Sequence, residues 1–108
     1  MVIVADVDGC VLGSGCQVRP GVPLMLAWLG WRGDVVHLWS AAGRARACEA
    51  GRLLGVPVVR CHAKPPMRPV AFRAALHRLG AAPDVTVDND HAHRVEGVPL
   101  VLVESWWG

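Results

Sequence analysis

No apolar stretch in this chain of 108 residues approaches the roughly 18 residues of a membrane span, which argues against a transmembrane protein. The amino terminus lacks the basic segment that opens a secretory signal, and Val2–Ala5 is needed as a strand, so a cytoplasmic protein is expected. Charge of one sign is also missing. The net charge of +2 is too mild to argue for nucleic acid or a membrane surface by itself. There are no repeats, low-complexity tracts or linkers, and the length allows one domain without a second lobe. No Cys-x-x-Cys spacing occurs among Cys10, Cys16, Cys48 and Cys61, so in a reducing compartment they read as free thiols. A zinc site built from Cys10, Cys16, Cys61 and His62 is conceivable, but only Cys61 and His62 form the close pair that tetrahedral sites usually supply. Lysine is nearly absent, with Lys64 the single one among eleven basic residues. A surface charge in so Arg-biased a chain would be expected as Arg, which marks Lys64 as a site residue.

What is present is a compact globular composition, with 53% hydrophobic residues against 19% charged. The first element is Val2-Ile-Val-Ala-Asp-Val-Asp-Gly9, a short β-branched run closing on two aspartates. It reads as a buried strand that carries Asp6 and Asp8 to its carboxyl end, where open α/β sheets place their ligands. Gly9 permits the sharp turn that follows.

Strand and helix then alternate. Arg19-Pro-Gly-Val-Pro23 opens a helix whose apolar side is Leu24, Leu26, Ala27, Trp28 and Trp31. Asp34–Trp39 is a second strand, closed by Ser40, and Ala41–Leu54 a second helix stopped at Gly55. Val56–Val59 reads as a short third strand, and Arg68–Leu79 as a helix by its apolar spacing. Val85–Val87 and Leu100–Val103 are the last strands. This alternation predicts a three-layer, Rossmann-like α/β domain with a parallel sheet of about five strands. Right-handed crossovers put every strand's carboxyl end on one rim. Asp6 and Asp8, Ser40, Lys64, and Asp88-Asn89-Asp90 all fall there.

This ordered set resembles the haloacid dehalogenase superfamily, mostly magnesium-dependent phosphatases. The quoted motifs are Ala-Asp6-Val-Asp8-Gly-Cys-Val, Val-Val-His-Leu-Trp-Ser40, Cys-His-Ala-Lys64-Pro-Pro and Val-Thr-Val-Asp88-Asn89-Asp90, and they span nearly the whole chain. Arg19-Pro-Gly21 before the first helix also looks like family usage. Two positions depart from the pattern. Cys10 stands where the family often has Thr, and Asp88-Asn89 replaces an acidic pair. The second variant looks like that of the small protein phosphatases of the carboxy-terminal-domain type. A comparable strand with an acidic pair occurs in the phosphatase halves of polynucleotide kinase-phosphatases.

The resemblance implies a phosphomonoesterase, and the chemistry explains the residue types. A phosphate monoester is anionic, so an anionic nucleophile must be shielded by a hard cation with oxygen ligands. Asp6 would be the nucleophile, forming an aspartyl-phosphate, and Asp8 the general acid and base. Ser40 would hold the phosphoryl group near a helix amino terminus, and Lys64 would offset charge on the reacting oxygens. Magnesium would sit on Asp6, the Asp8 carbonyl and either Asp88 or Asn89, with Asp90 the third choice. Residues 1–108 leave no room for the cap domain that family members acting on small metabolites usually carry. Only Cys10–Val18 separates the first motif from Arg19, and little beyond Lys64 follows Val59. An open site implies a bulky phosphorylated substrate, a nucleic-acid end, nucleotide or protein, or a neighbouring subunit that covers the rim.

Plainer roles stand beside these. Ser40 is a natural helix N-cap, and Asp88 and Asp90 are natural turn formers. His91 and His93 read as solvated helix positions rather than ligands, and His62 similarly. Trp28, Trp31 and Trp39 read as core or near-core. Trp106 and Trp107, adjacent near the carboxyl end, are expected to pack on a partner subunit or stack on a substrate base. A receiver-type domain would carry its phosphorylated Asp after the third strand, and a Toprim-like module wants a Glu after the first. The serious non-enzyme alternative is an inactive binding protein on the same fold.

Overall fold

The computed structural model describes residues 1–55, 60–65, 83–95 and 97–108. Five strands form one parallel sheet: β1 (Val2–Asp6), β2 (Val35–Ser40), β3 (Arg60–Ala63), β4 (Val85–Asp88) and β5 (Leu100–Leu102). Their spatial order is β3-β2-β1-β4-β5. The chain therefore winds outward from β1 through β2 to β3, then returns to the other side of β1 for β4 and β5. The reversal opens a switch point between β1 and β4, where parallel sheets leave a crevice at their carboxyl ends. The expected α/β sheet is what forms.

Two helices are described, α1 (Val22–Trp31) and α2 (Arg44–Leu54). Pro23 lies in the first turn of α1, where its missing N–H costs nothing. In α2 the buried residues Ala47, Ala50, Gly51 and Leu54 recur at helical spacing, and Gly55 closes the helix in the left-handed conformation. The main core joins Ile3, Ala5, Val36 and Leu38 of the sheet to Val22 and Leu26 of α1 and Ala47, Ala50 and Leu54 of α2. On the opposite face Val4 packs with Trp39 and Val95. Among the described residues no helix is long and apolar enough to cross a membrane.

Several expectations need correction. The third strand pairs through Arg60–Ala63, with His37 opposite Arg60 and Ser40 opposite Ala63. The Val56–Val59 run and the Arg68–Leu79 helix lie outside the described residues. Helix α2 starts at Arg44 with Gly43 as its N-cap, so Ser40 does not cap it. Cys48 and Cys61 are not free thiols: they form a disulfide from α2 to β3, with Cα atoms 5.1 Å apart. That removes Cys61 from any zinc set and leaves Cys10 and Cys16 as the free pair. Trp39 is buried as expected, but Trp28 and Trp31 are not: Trp31 is 84% exposed.

Candidate active site at the sheet switch point

Sheet register brings the two acidic strand ends together. Ala5 pairs with Val87, so Asp6 and Asp88 come next, side by side across the switch point. Lys64 follows β3 directly, and its amide donates to the Ser40 carbonyl at 2.8 Å, which fixes its backbone against the end of β2. From there the side chain spans to both acids. Nζ donates to Asp6 Oδ1 at 3.3 Å and to Asp88 Oδ2 at 2.5 Å. The Lys64 and Asp88 side chains are each 2% exposed and that of Asp6 11%.

Burying three charges is costly, and mutual pairing is what makes it tolerable. Burial is the largest influence on Asp6 and raises its pKa above the ordinary carboxylate value; Lys64 opposes this, and Asp88 adds to it. Nearby, burial pushes the Cys10 thiol up to about 12, so this residue behaves as a small apolar side chain.

Asn89 belongs to the same knot. Oriented so that its side-chain oxygen accepts from Ser105 Oγ at 3.0 Å, its amide nitrogen lies 3.0 Å from Asp6 Oδ2 and 3.2 Å from Asp88 Oδ1. The C-terminal segment thus closes one side of the site. Trp106 N–H donates to the Gly9 carbonyl and Ser14 N–H to the Trp107 carbonyl. Gly9 has φ +73°, and a Cβ there would lie 2.7 Å from both the Asn89 side-chain amide and the Trp107 ring. Glycine is required on both counts. The tryptophan pair is accordingly engaged with its own chain's first loop, and Trp107 remains half-exposed beside the rim.

Asp8 points elsewhere. Its carboxylate accepts from Arg46 of α2, at 2.8 Å from Nη2 and 3.1 Å from Nε. Arg46 also reaches Cys16 Sγ and Glu49, each at 3.2 Å. No hydrogen bond among the described residues joins Asp8 to Asp6, Lys64 or Asp88. Ser40 is buried at the end of β2, and its Oγ accepts from Ala42 N–H at 3.1 Å.

Asp90 is committed to a local turn. It caps the short 3-10 turn His91–His93 by accepting from Ala92 N–H at 2.9 Å, and that bond holds its carboxyl below the usual range. His62 is turned to His37, with ring nitrogens 3.1 Å apart.

Two participants were not anticipated. His93 was read as solvated, yet its Nδ1 is 2.6 Å from Lys64 Nζ and 3.3 Å from Asp88 Oδ2. The signal was in the sequence: an Asx-type turn at Asp90 folds the chain back, so a residue five beyond Asp88 can return to it. Arg46 carried no local signal, because only the packing of α2 against the sheet brings it to Asp8.

Comparison with protein-family models, with curated proteins and with solved structures found no match.

Proposed function

We propose that this chain is a magnesium-dependent phosphomonoesterase of the haloacid dehalogenase type, with Asp6 as nucleophile. The observation that carries the reading is Lys64 held between Asp6 and Asp88 at the switch point. Such a buried charge cluster at the ligand-binding edge of a parallel sheet is costly for a purely structural role.

Asp6 attacks the phosphorus of a monoester, and the bond from phosphorus to the leaving oxygen breaks. Asp8 gives its proton to that oxygen. The resulting aspartyl-phosphate is hydrolysed when Asp8 takes a proton from water and the water oxygen attacks phosphorus, which releases phosphate and restores Asp6. Lys64 neutralises charge on Asp6 and on the phosphoryl oxygens, and Ser40 donates its hydroxyl to them. In the resting structure the Asp8 carboxylate is paired with Arg46, and it leaves that pair to reach the leaving oxygen.

The donor chemistry around Asp6 fits a hard cation, although among the described residues no three His, Cys, Asp or Glu side chains cluster closely enough to hold one unaided. Asp6 and Asp88 are carboxylates and Asn89 is an amide that can turn its oxygen inward. The Asp8 carbonyl takes no part in the bonds of the following turn, which end on the Val7 and Leu12 carbonyls. Magnesium keeps several waters and needs few protein oxygens. When bound it would screen the negative charge between nucleophile and phosphate.

A bulky phosphate, such as a nucleic-acid end, a nucleotide or a phosphoprotein, suits the surroundings. Between Asp8 and Val18 the chain folds into two tight turns, with bridges from Asp8 to Leu12 and Leu12 to Val18, and forms no cap. Phosphate release measured with magnesium over nucleotides, phosphorylated nucleic-acid ends, sugar phosphates and phosphopeptides tests the reading. Turnover that disappears in Asp6→Asn and in excess chelator is expected. Release that persists in Asp6→Asn overturns the mechanism, and binding without turnover across the panel identifies an inactive binding protein instead.

A further inference from the structure

Helix α1 contains no charged or hydrogen-bonding side chain apart from the two tryptophan indoles, yet it lies on the surface. One apolar stripe, Val22, Leu26 and Leu29, packs on the core. A second stripe, Leu24, Trp28 and Trp31, is offset by two residues. At 3.6 residues per turn, that offset places it about 200° around the helix. This outer stripe has the same i, i+4, i+7 spacing as the buried one, and its members are 77%, 51% and 84% exposed. A soluble helix with one buried face ordinarily carries polar residues on the other, and a helix apolar all round is ordinarily covered all round.

Beside it lies an apolar cavity of about 450 Å³ on the same face of the sheet, lined by Met25 and Leu29 of α1 and by Val85, Val87, Val101 and Val103 from β4, β5 and the residue after it. Knob and hole are therefore neighbours on one surface. That is the arrangement in which two copies related by a two-fold axis satisfy each other reciprocally.

We propose that α1 and this groove form a homodimer interface, with the two α1 helices antiparallel and crossing near Trp28. A two-fold axis through that point sets Leu24 of one copy near Trp31 of the other. Met25, half-exposed between the two stripes, brings the mouth of the partner's groove to the edge of this contact. The area is adequate. A buried indole contributes about 150–250 Å², so Trp28, Trp31, Leu24 and Met25 together offer on the order of 500 Å² per copy. The groove wall brings the total toward the roughly 800 Å² per partner of a stable interface. Arg32 stacks on Trp28 at 4.8 Å and pairs with Asp34, so the charges nearest the stripe are already turned to their own chain.

Sedimentation equilibrium of the wild-type chain, of Trp31→Lys and of Leu24→Glu tests the proposal, with far-UV circular dichroism reporting the fold. The wild type is expected as a dimer at micromolar concentration. Each variant alone is expected to dissociate at least tenfold more readily with an unchanged spectrum. An equimolar mixture of Trp31→Lys and Leu24→Glu should recover dimer, because the introduced charges face each other across the axis. A monomeric wild type at 100-fold higher concentration (on the order of 100 μM, above the weak end of specific interfaces) overturns the interface, whether or not it then binds lipid vesicles. Folded variants that remain fully dimeric overturn it too. Failure of the mixture to re-pair while both variants stay folded overturns the antiparallel geometry.

Discussion

The switch point and helix α1 invert ordinary burial in opposite directions. At the switch point a lysine and two aspartates are almost wholly covered, whereas on α1 a tryptophan stands 84% exposed. In each case the sequence forgoes monomer stability: buried charges lose hydration, and exposed indoles lose the favourable burial of a large apolar side chain. The remedies differ. The rim charges neutralise one another within the chain, whereas the apolar stripe is left largely exposed by the described residues. Places where local rules are broken without local compensation are where function is to be sought, and here they point to chemistry at one end and association at one face.

The largest test of that contrast is Lys64→Met. Removing the cation leaves Asp6 and Asp88 buried without the lysine they share, and unfolding free energy should fall by about 3–5 kcal/mol in urea titration. A loss below about 1 kcal/mol would mean that the two acids are hydrated after all. Next comes the pair of tryptophans. Trp39→Ala should cost about 3–5 kcal/mol, as for any buried aromatic. Trp31→Ala, measured dilute enough to keep the chain monomeric, should change stability by less than about 0.5 kcal/mol. Equal costs would erase the distinction. Smaller than the Trp39 loss is that of Gly9→Ala, expected to lose about 1–3 kcal/mol through its left-handed backbone and to push Trp107 off the loop, seen as a red shift of its fluorescence.

The subtlest test concerns Asp6 and pH. Its folded-state pKa lies above the unfolded value, so the folded protein binds this proton more tightly. Ionising Asp6 therefore works against folding, and stability is lost as pH rises through and beyond the ordinary carboxylate range. Asp6→Asn should be the more stable protein at neutral pH, and its advantage should shrink on acidification as wild-type Asp6 takes up its proton. A variant less stable than the wild type at neutral pH would show that the Lys64 attraction outweighs the burial.

Much of this was legible from the chain alone. The β-branched run before Asp6 and the alternating strand and helix patterns identify the parallel sheet, and short strands ending in polar residues put Asp6, Ser40, Lys64 and Asp88 on one rim. What was not legible depends on contacts far apart in sequence. The partner of Asp8 is 38 residues away on α2, and the disulfide joins elements whose closeness only packing decides. Trp28 and Trp31 were misplaced for a related reason: periodicity identifies an apolar helix but does not say which of two equally apolar stripes meets the sheet.

The central claim is that Asp6 becomes covalently phosphorylated. An acyl phosphate is reduced by borohydride to an alcohol, so a trapped aspartyl-phosphate is converted to homoserine and found by peptide mass mapping. With magnesium and a substrate that turns over, conversion is expected at Asp6 alone, and none when either is withheld. Phosphate release without conversion at Asp6, or conversion at Asp88 in its place, would contradict the account.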